Sequence, residues 1–543
     1  MNFMAPQWAA DARAMPNDNF VRLAQLSRDT DLPLMVLLFQ EAPGLRYQLN
    51  FNGLFGIPWW SAFDAIQGIT LPVGLPFDQA DIIIPQGSEL VYNGDSILVV
   101  QGSQHLGTIH RRSDVGVWDV WWDMAEQGHR IDQYDDRGFL STRTWYDHNK
   151  QVVKKEWLDM AGQWVLRQTD HITVAPRDQG RFDQTEYPNI TSVVGEYINR
   201  FLSSQSGKNT LVGLANDQSV TFTPFIPQNT IQHYFVTSLQ DDALTKLVPT
   251  TASVIANTSI LADQVHARLK EIPGGDRVSV RVIPPFSTTL QLGRSNEVAA
   301  VIAYWHVNGL ADTKADVMFS DFLELLKQDE DKALIVDADS DAQSNHFQQT
   351  ALVYAARESD VPLDSALFAR IRAIVNGDEP PAQEPPHKAP EVTTAMEQAA
   401  VEEAKAVEKK EKEKKKKEDD LINSVQAFLD RITYQVRADY EQVVQDFATV
   451  RVLVDLGNEP DLFMQIAAIS AGIPQINHVR TGYVTDHKNG LIIDQLSTLP
   501  EALTYYLDSL HHWNLALVVN AQLIDQYSEE HTQALWQEVF TNG

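Results

Sequence analysis

Apolar positions along this chain follow two rhythms. Over residues 1–85, and again from 190 onward, they come either as short unbroken runs or at three- and four-residue spacing. Phe20, Leu23 and Leu26 in DNFVRLAQLSRD set a helix. LPLMVLLFQ (32–40) follows as a run with no polar face, the pattern of a strand covered on both sides of a parallel sheet. WWSAFDAIQGI (59–69) reads as another helix, closed by Gly68. ITSVVGEYINRFLSS (190–204) predicts a helix and TLVGLA (210–215) a strand. A further series begins at TASVIANT (251–258). It predicts a helix over 260–272, a strand over 276–285, a helix over 296–310, a strand over 314–320, a helix over 322–331 and a strand over 333–339. After a break come a helix over 427–447, a strand over 451–457, a helix over 461–472, strands over 474–479 and 490–494, and two C-terminal helices. Strands alternating with helices imply crossover connections and parallel sheets.

Residues 86–189 keep a different period. Short strand-like runs (ELVYNG, SILVVQG, LGTIHRR, GVWDVWWDM, STRTWYD, QVVKKEWLD, QWVLRQ, HITVAP) are separated by turn residues. YDDRG (134–138), YDHNK (146–150) and LDMAG (158–162) recur at about twelve-residue spacing, each with Asp shortly before the turn, which predicts an antiparallel meander of hairpins. Residues 377–422 break both rhythms. EPPAQEPPHKAP is proline-rich, and the Ala, Glu and Lys run after it has no apolar stripe, so a disordered insertion is expected there. The expected organisation is an α/β chain of two Rossmann-like lobes. Residues 1–85 with 190–240 form the N-terminal lobe, 86–189 an inserted antiparallel domain and 245–510 the C-terminal lobe, while 511–543 are helices that cross back toward the first lobe.

Composition narrows the chemistry. The chain has 543 residues and a net charge of −30. Residues 401–420 hold eight lysines and eight acidic residues, so the rest of the chain carries the whole deficit. A body this acidic repels phosphate backbones, and nucleic acid is not an expected partner. There is no cysteine, which excludes disulfides, thiol catalysis and thiolate metal sites. MNFMAPQWAADARAMP lacks a basic stretch followed by an apolar run, and LPLMVLLF is too short to span a bilayer. A cytoplasmic protein with no direct membrane insertion is expected, with no metal and no cofactor.

The segment 452–493 carries the densest chemistry. VDLGNEP ends a strand and puts Glu459-Pro460 at a helix start, where free N–H groups can meet an anion. Gly472 and Pro474 stop that helix, and a strand with Asn477 follows. Glu459, the helix, AGIP (471–474) and Asn489-Gly490, in this order, resemble the nucleotide-sugar site of retaining two-lobed (GT-B) glycosyltransferases. In that pattern a second Glu stands eight residues after the first, and here that position is Ala467. The resemblance implies that the missing carboxylate would grip the donor ribose. A diphosphate also needs cations, but PPFSTTLQLGRSN (284–296) offers Arg294 only, with Thr289 where a basic residue is expected. Glu459, Ala467, Gly472, Asn477, Arg480 and Arg294 are therefore the candidate residues of a vestigial donor cleft, without a catalytic residue. Ser470 lies inside a helix, not on a nucleophile elbow. His511 and His512, adjacent on a helix, point about 100° apart and share no metal. Trp118, Trp121 and Trp122 in VWDVWWD are candidates for a glycan or partner contact, or for the packed face of the meander; alternation puts Trp118 and Trp122 on one face and Trp121 on the other.

APGLRYQL (42–49), WWSAFDAIQGI (59–69), YDDRGFLS (134–141), IPPFSTTLQLGRSN (283–296), DLGNEPDLFMQIAAISAGIPQIN (455–477) and TGYVTDHKNGLII (481–493) together resemble the family of first accessory secretory proteins of the accessory Sec system. The resemblance covers nearly the whole chain outside 377–422. It implies a GT-B fold with a degenerate donor site and no enzymatic activity. It also implies two sibling accessory secretory proteins, a motor ATPase and glycosylated serine-rich repeat adhesins as partners, and peripheral association with a membrane translocon through those partners. An active retaining glycosyltransferase acting on Ser/Thr-rich adhesin and a glycan-binding adhesin chaperone are the alternatives.

Overall fold

A computed structural model describes residues 1–541 apart from 9–14, 16, 31, 113–115, 125–127, 240–241 and 379–396, with backbone only over 397–408. The chain divides into two compact units, Met1–Pro285 with Glu530–Gly543, and Phe286–Glu529.

The first unit holds a seven-stranded sheet in the spatial order Ser279–Val282, Thr251–Ala256, Thr230–Val236, Asn209–Leu214, Asn2–Met4, Met35–Leu38, Trp59–Ser61. Every pair in it is parallel. Helices Asn19–Asp29, Ala62–Gln67 and Ile190–Ser204 form where the periodicity places them. Gly68 closes the second of these with φ of 73°. The lobe boundary expected at 245 is wrong for this sheet. Thr251–Ala256 pairs with Thr230–Val236, and Ser279–Val282 pairs with Thr251–Ala256. A βαβ rhythm looks the same on both sides of a sheet boundary, so only the pairing reveals where one sheet stops. Of the C-terminal helices, Glu529–Thr541 packs Trp536 and Val539 into the first unit's core, whereas Leu510–Gln526 belongs to the second unit.

Between Trp59–Ser61 and Ile190–Ser204 lies a ten-stranded antiparallel sheet from Glu89–Asn93 to Glu186–Tyr187, its strands in sequence order. The Asp-containing turns are its hairpins. Asp147 Oδ1 accepts from the N–H of Asn149 and Gln151, and Asp159 Oδ1 from those of Ala161 and Gln163. Lys150 and Gly162 take positive φ to close the turns. YDDRG does more. The buried Arg137 guanidinium donates to both oxygens of Asp135 (2.7 and 2.9 Å) and both of Asp64 (2.7 and 2.8 Å). Asp64 belongs to helix Ala62–Gln67, so this pair fastens the antiparallel sheet to the parallel one. Asp136 Oδ2 accepts from the Tyr47 N–H at 3.0 Å, and burial followed by the charge of Asp135 pushes the Asp136 carboxyl up to about 6.

The second unit holds a six-stranded parallel sheet in the order Ile432–Val436, Lys332–Ala338, Val301–His306, Val450–Asp455, Gln475–Asn477, Gly490–Ile492. Two of the expected elements exchange type. VIAYWH, expected inside a helix over 296–310, is the strand Val301–His306; Trp305 faces one core and Tyr304 the opposite one. KADVMFS, expected as a strand, begins helix Asp312–Gln328, which buries Ala315, Met318, Phe319, Phe322, Leu323 and Leu326. A strand apolar on both faces and a buried helix are indistinguishable in a six-residue window; the three- and four-residue spacing emerges only over seventeen. The helix expected over 427–447 is a helix end, the strand Ile432–Val436 and helix Tyr440–Phe447.

The expectation of disorder fails for 397–422, and 379–396 lies outside the described residues. Glu397–Leu429 is one helix. Its last turns bury Ile422 and Val425 against Leu352, Ala355, Phe368 and Ile371. That packed end nucleates the helix, and the Ala, Glu and Lys residues before it propagate it at low cost.

Candidate functional site

The strand order of the second unit is that of a doubly wound sheet, with the order reversing between Val301–His306 and Val450–Asp455. Ligands of such sheets bind at the carboxyl ends of the strands beside this reversal. His306 ends one strand and Asn308 follows it; Asp455 ends the other, and Glu459 and Asp461 follow it.

Asp455 is buried. Its Oδ1 accepts from Asn308 Nδ2 (3.0 Å) and the Gly457 N–H (3.1 Å), and its Oδ2 from the Asp461 N–H (3.2 Å). Burial raises its pKa, against the opposing pull of His306 and these donors. His306 Nδ1 lies 2.9 Å from Asp337 Oδ2, and its Nε2 is 3.8 Å from Asp461 Oδ2. Burial alone would lower the imidazole pKa; the Asp337 hydrogen bond and the charges of Asp455, Asp337 and Asp461 outweigh it and raise the value. Asn308, held at φ of 49°, also donates to the Glu459 carbonyl at 2.7 Å. The helix does not begin at Glu459-Pro460. It spans Leu462–Ala471, and its N-cap is Asp461, whose Oδ1 accepts from the Met464 N–H at 3.1 Å. A carboxylate thus occupies the helix N-terminus where an anion would sit. The Glu459 side chain is exposed. Among the described residues no Lys or Arg pairs with Asp337, Asp455, Glu459 or Asp461.

The remaining candidates scatter. Ala467 and Thr289, the two positions that depart from the transferase pattern, line one pocket of about 130 Å³ with Phe286, Phe447 and Phe463. Its lining mixes these rings with aliphatic side chains and the polar Ser287, Gln291 and Ser470, and it holds no charged residue; Tyr440 stacks on Phe463 at 3.8 Å. Arg294 is exposed, and its N–H donates to the Ala448 carbonyl, beside the start of Val450–Asp455. Six residues of strand, about 17 Å at roughly 3.3 Å per residue, separate it from the acidic end. Gly472 caps the helix at φ of 74°, and a Cβ there would come 2.4 Å from Leu517. Asn477 is paired in register with Asp455 and is buried, while Arg480 is exposed. Asn489 is buried and engaged by the protein itself. Its Nδ2 donates to the Tyr483 carbonyl and to Asn520 Oδ1, both at 3.0 Å, and its Oδ1 accepts from the Thr485 N–H.

The tryptophans are engaged within the sheet. A register shift opposite Arg111 breaks the alternation of Gly116–Asp123. Val117 and Val120 both enter one core with Trp122 packed on it, so Trp118 does not share that face as expected. Arg112 lies 4.5 Å over Trp118. Trp122 Nε1 donates to Asp132 Oδ2 at 3.1 Å, and Arg130 lies over its ring. Trp121, 45% exposed, stacks on His129 and meets the His110 ring edge-on.

His306, Asn308, Asp337 and Asp461 were not among the expected site residues. Asp461 was readable as a cap three residues before Met464. His306 was hidden in a segment read as helix.

Two doubly wound parallel sheets, with an antiparallel sheet inserted in the first, are the parts of a GT-B glycosyltransferase-like protein. The pneumococcal O-GlcNAc transferase GtfA, solved with UDP and GlcNAc, matches this fold with a TM-score of 0.57 at 12% identity over 99% of this chain and 98% of that one. The chain belongs to the family of accessory secretory protein 1 of the accessory Sec system, whose family model matches residues 5–360 and 383–542. The accessory Sec system protein of this family from Staphylococcus aureus (strain NCTC 8325 / PS 47) is 24% identical over 98% of this chain and 97% of its own length. A chain of the Glycosylation Associate Protein (Gap123) complex from Streptococcus agalactiae matches with a TM-score of 0.67 at 20% identity, covering 99% of both chains. Membership places the chain in accessory Sec export. Among the described residues no helix is long and apolar enough to cross a membrane.

Proposed function

We propose that this chain is a non-catalytic, glycosyltransferase-like subunit of a cytoplasmic export complex. It works with two sibling accessory secretory proteins and the motor ATPase of the accessory Sec system on glycosylated serine-rich repeat adhesins, and reaches the translocon through those partners. The carrying observation is the charge of the switch point. A donor diphosphate would meet Asp461 at the helix N-terminus, with Asp455 and Asp337 behind it and, among the described residues, the His306 imidazole but no Lys or Arg against them. Two like charges 4 Å apart repel by about 4 kcal/mol at an effective dielectric of about 20. Ala467 withholds a ribose acceptor as well. The Trp118, Trp121 and Trp122 rings serve the sheet's own packing in this reading, because each has a ring or guanidinium of the same sheet against it.

The test is co-expression with both sibling proteins and the motor, followed by purification through a tag on this chain. A stable complex is expected; elution as a lone monomer rejects the reading. In parallel, millimolar UDP-sugars are expected to leave the melting temperature unchanged. Sugar transfer that Glu459→Gln abolishes would restore the enzymatic alternative.

A further inference from the structure

The ten-stranded antiparallel sheet of the first unit has two ends, and they are finished differently. One is Glu186–Tyr187, a strand of two residues. The other is Glu89–Asn93 (ELVYN), which among the described residues pairs with Ser96–Gln101 alone. Edge strands are normally blunted by shortness, a lysine, a proline, a bulge or a covering loop, because an open edge templates another strand. Glu89–Asn93 has no lysine or proline, and its pairing runs without a register shift. Val91 is 45% exposed and Tyr92 60%.

The hairpin turn sets which backbone groups point outward. Gly94, at φ of 60°, is the first residue of a two-residue turn between Asn93 and Ser96. Asn93 and Ser96 are therefore a hydrogen-bonded pair, and by the alternation of an antiparallel ladder so are Val91–Leu98 and Glu89–Val100. Leu90 and Tyr92 turn their N–H and C=O groups away from the sheet, and among the described residues no turn or loop backbone group bonds to them. Leu90 packs on the core with Ile97 and Val99, Tyr92 shares its face, and Val91 points to the other.

This strand complements itself. In an antiparallel pair of two copies with Val91 facing Val91, Leu90 of each copy exchanges both backbone bonds with Tyr92 of the other, and only that register engages both outward residues of each copy. Leu90 then packs on Tyr92 across one face and the valines meet on the other. Glu89 opposes the uncharged Asn93, not a second glutamate. We propose that the chain self-associates through strand Glu89–Asn93, joining the antiparallel sheets of two copies edge to edge. The contact uses this chain alone, so it stands or falls independently of the complex proposed above.

The absence of cysteine gives the test a clean background. Facing residues of a non-hydrogen-bonded pair lie about 4.5 Å apart at Cα, within disulfide reach. Val91→Cys in the full chain is expected to form a disulfide-linked dimer under mild oxidation. Glu89→Cys is not, because that position faces Asn93 and lies about 13 Å along the strands from its own counterpart. Sedimentation equilibrium of the unaltered chain should show a reversible dimer with a dissociation constant of about 10–100 μM, the weak end that suits a small interface. Each copy carries a charge of −30, so association tightens as salt is raised. Tyr92→Pro removes an outward N–H, which an edge strand tolerates, and weakens the dimer at least about tenfold, whereas Val91→Ile retains it. Circular dichroism and melting curves verify folding of the variants. A chain still monomeric at the top of that concentration range in high salt, equal cross-linking of the two cysteine variants, or a dimer that Tyr92→Pro leaves unchanged overturns the proposal.

Discussion

Arg137 offers the sharpest test of how the first unit is held together. Its side chain is 5% exposed, and its two carboxylate partners, Asp135 and Asp64, are 5% and 17% exposed. It makes four charge-assisted hydrogen bonds to them and a fifth, at 3.1 Å, to the Leu71 carbonyl. Arg137→Met keeps most of the volume and removes the cation, leaving two buried carboxylates side by side. Removing one partner from such a buried network costs about 3–5 kcal/mol, several times the worth of a surface pair. Replacing the acids as well, in Asp64→Asn/Asp135→Asn/Arg137→Met, removes the orphaned charge and recovers most of that loss. Urea unfolding followed by tryptophan fluorescence measures both. Hydrogen exchange should localise the early opening to helix Ala62–Gln67 and the neighbouring hairpins, with the second unit unaffected. A loss below about 1 kcal/mol in Arg137→Met would place this pair among ordinary surface pairs and refute the reasoning.

Further outcomes follow from single sites. His233 is buried and bonded to Ser253 Oγ at 2.6 Å; burial, then the charge of Arg281, holds its pKa down at about 4. An unfolded histidine titrates near 6.5, so as pH falls from about 6.5 to about 4 the unfolded chain takes up a proton the folded one refuses, and stability drops by about 3 kcal/mol, with no contribution above that window. His233→Gln should flatten the urea midpoint across that range; an unchanged slope rules this account out. Asn489→Ala strands Asn520 Oδ1 and the Thr485 N–H, at about 1–3 kcal/mol for each buried group left unpaired, visible as a lower melting temperature of the second unit. Ala467→Glu restores the transferase pattern in sequence but leaves Asp461 and Asp455 in place, so millimolar UDP-GlcNAc should still give no thermal shift; a shift of several degrees would mean that one missing carboxylate alone had disabled the site.

Some of the candidate site was legible in the chain and some was not, for identifiable reasons. Gly472 is a helix stop because a left-handed residue must end that helix, and only local sequence is needed to see it. Ala467 was visible as an absence at a fixed spacing. Arg294 was assigned to the same donor cleft as Glu459, as the cation for a diphosphate, yet its backbone lies at the opposite end of strand Val450–Asp455. Asn489 looked like part of a binding motif and instead bridges a turn to helix Leu510–Gln526. Trp118 left the face assigned by alternation because one bulge shifted the register.

Period and turn chemistry by themselves determined that the chain is α/β with an antiparallel insert, because a period of two, a period of 3.6 and Asp-containing turns are local properties of the backbone. Composition alone determined the absence of thiol chemistry and the negative charge of the body. Only the tertiary structure decided which strands share a sheet, hence the boundary at Pro285, and whether VIAYWH is strand or helix, since burial on both faces erases periodicity. It also decided that a few apolar residues at the end of a lysine-rich run would anchor it as a helix, and that His306, Asp337, Asp455 and Asp461, spread over more than 150 positions, would converge on one sheet edge. Charges far apart in sequence acquire a common field only when strand pairing brings them together.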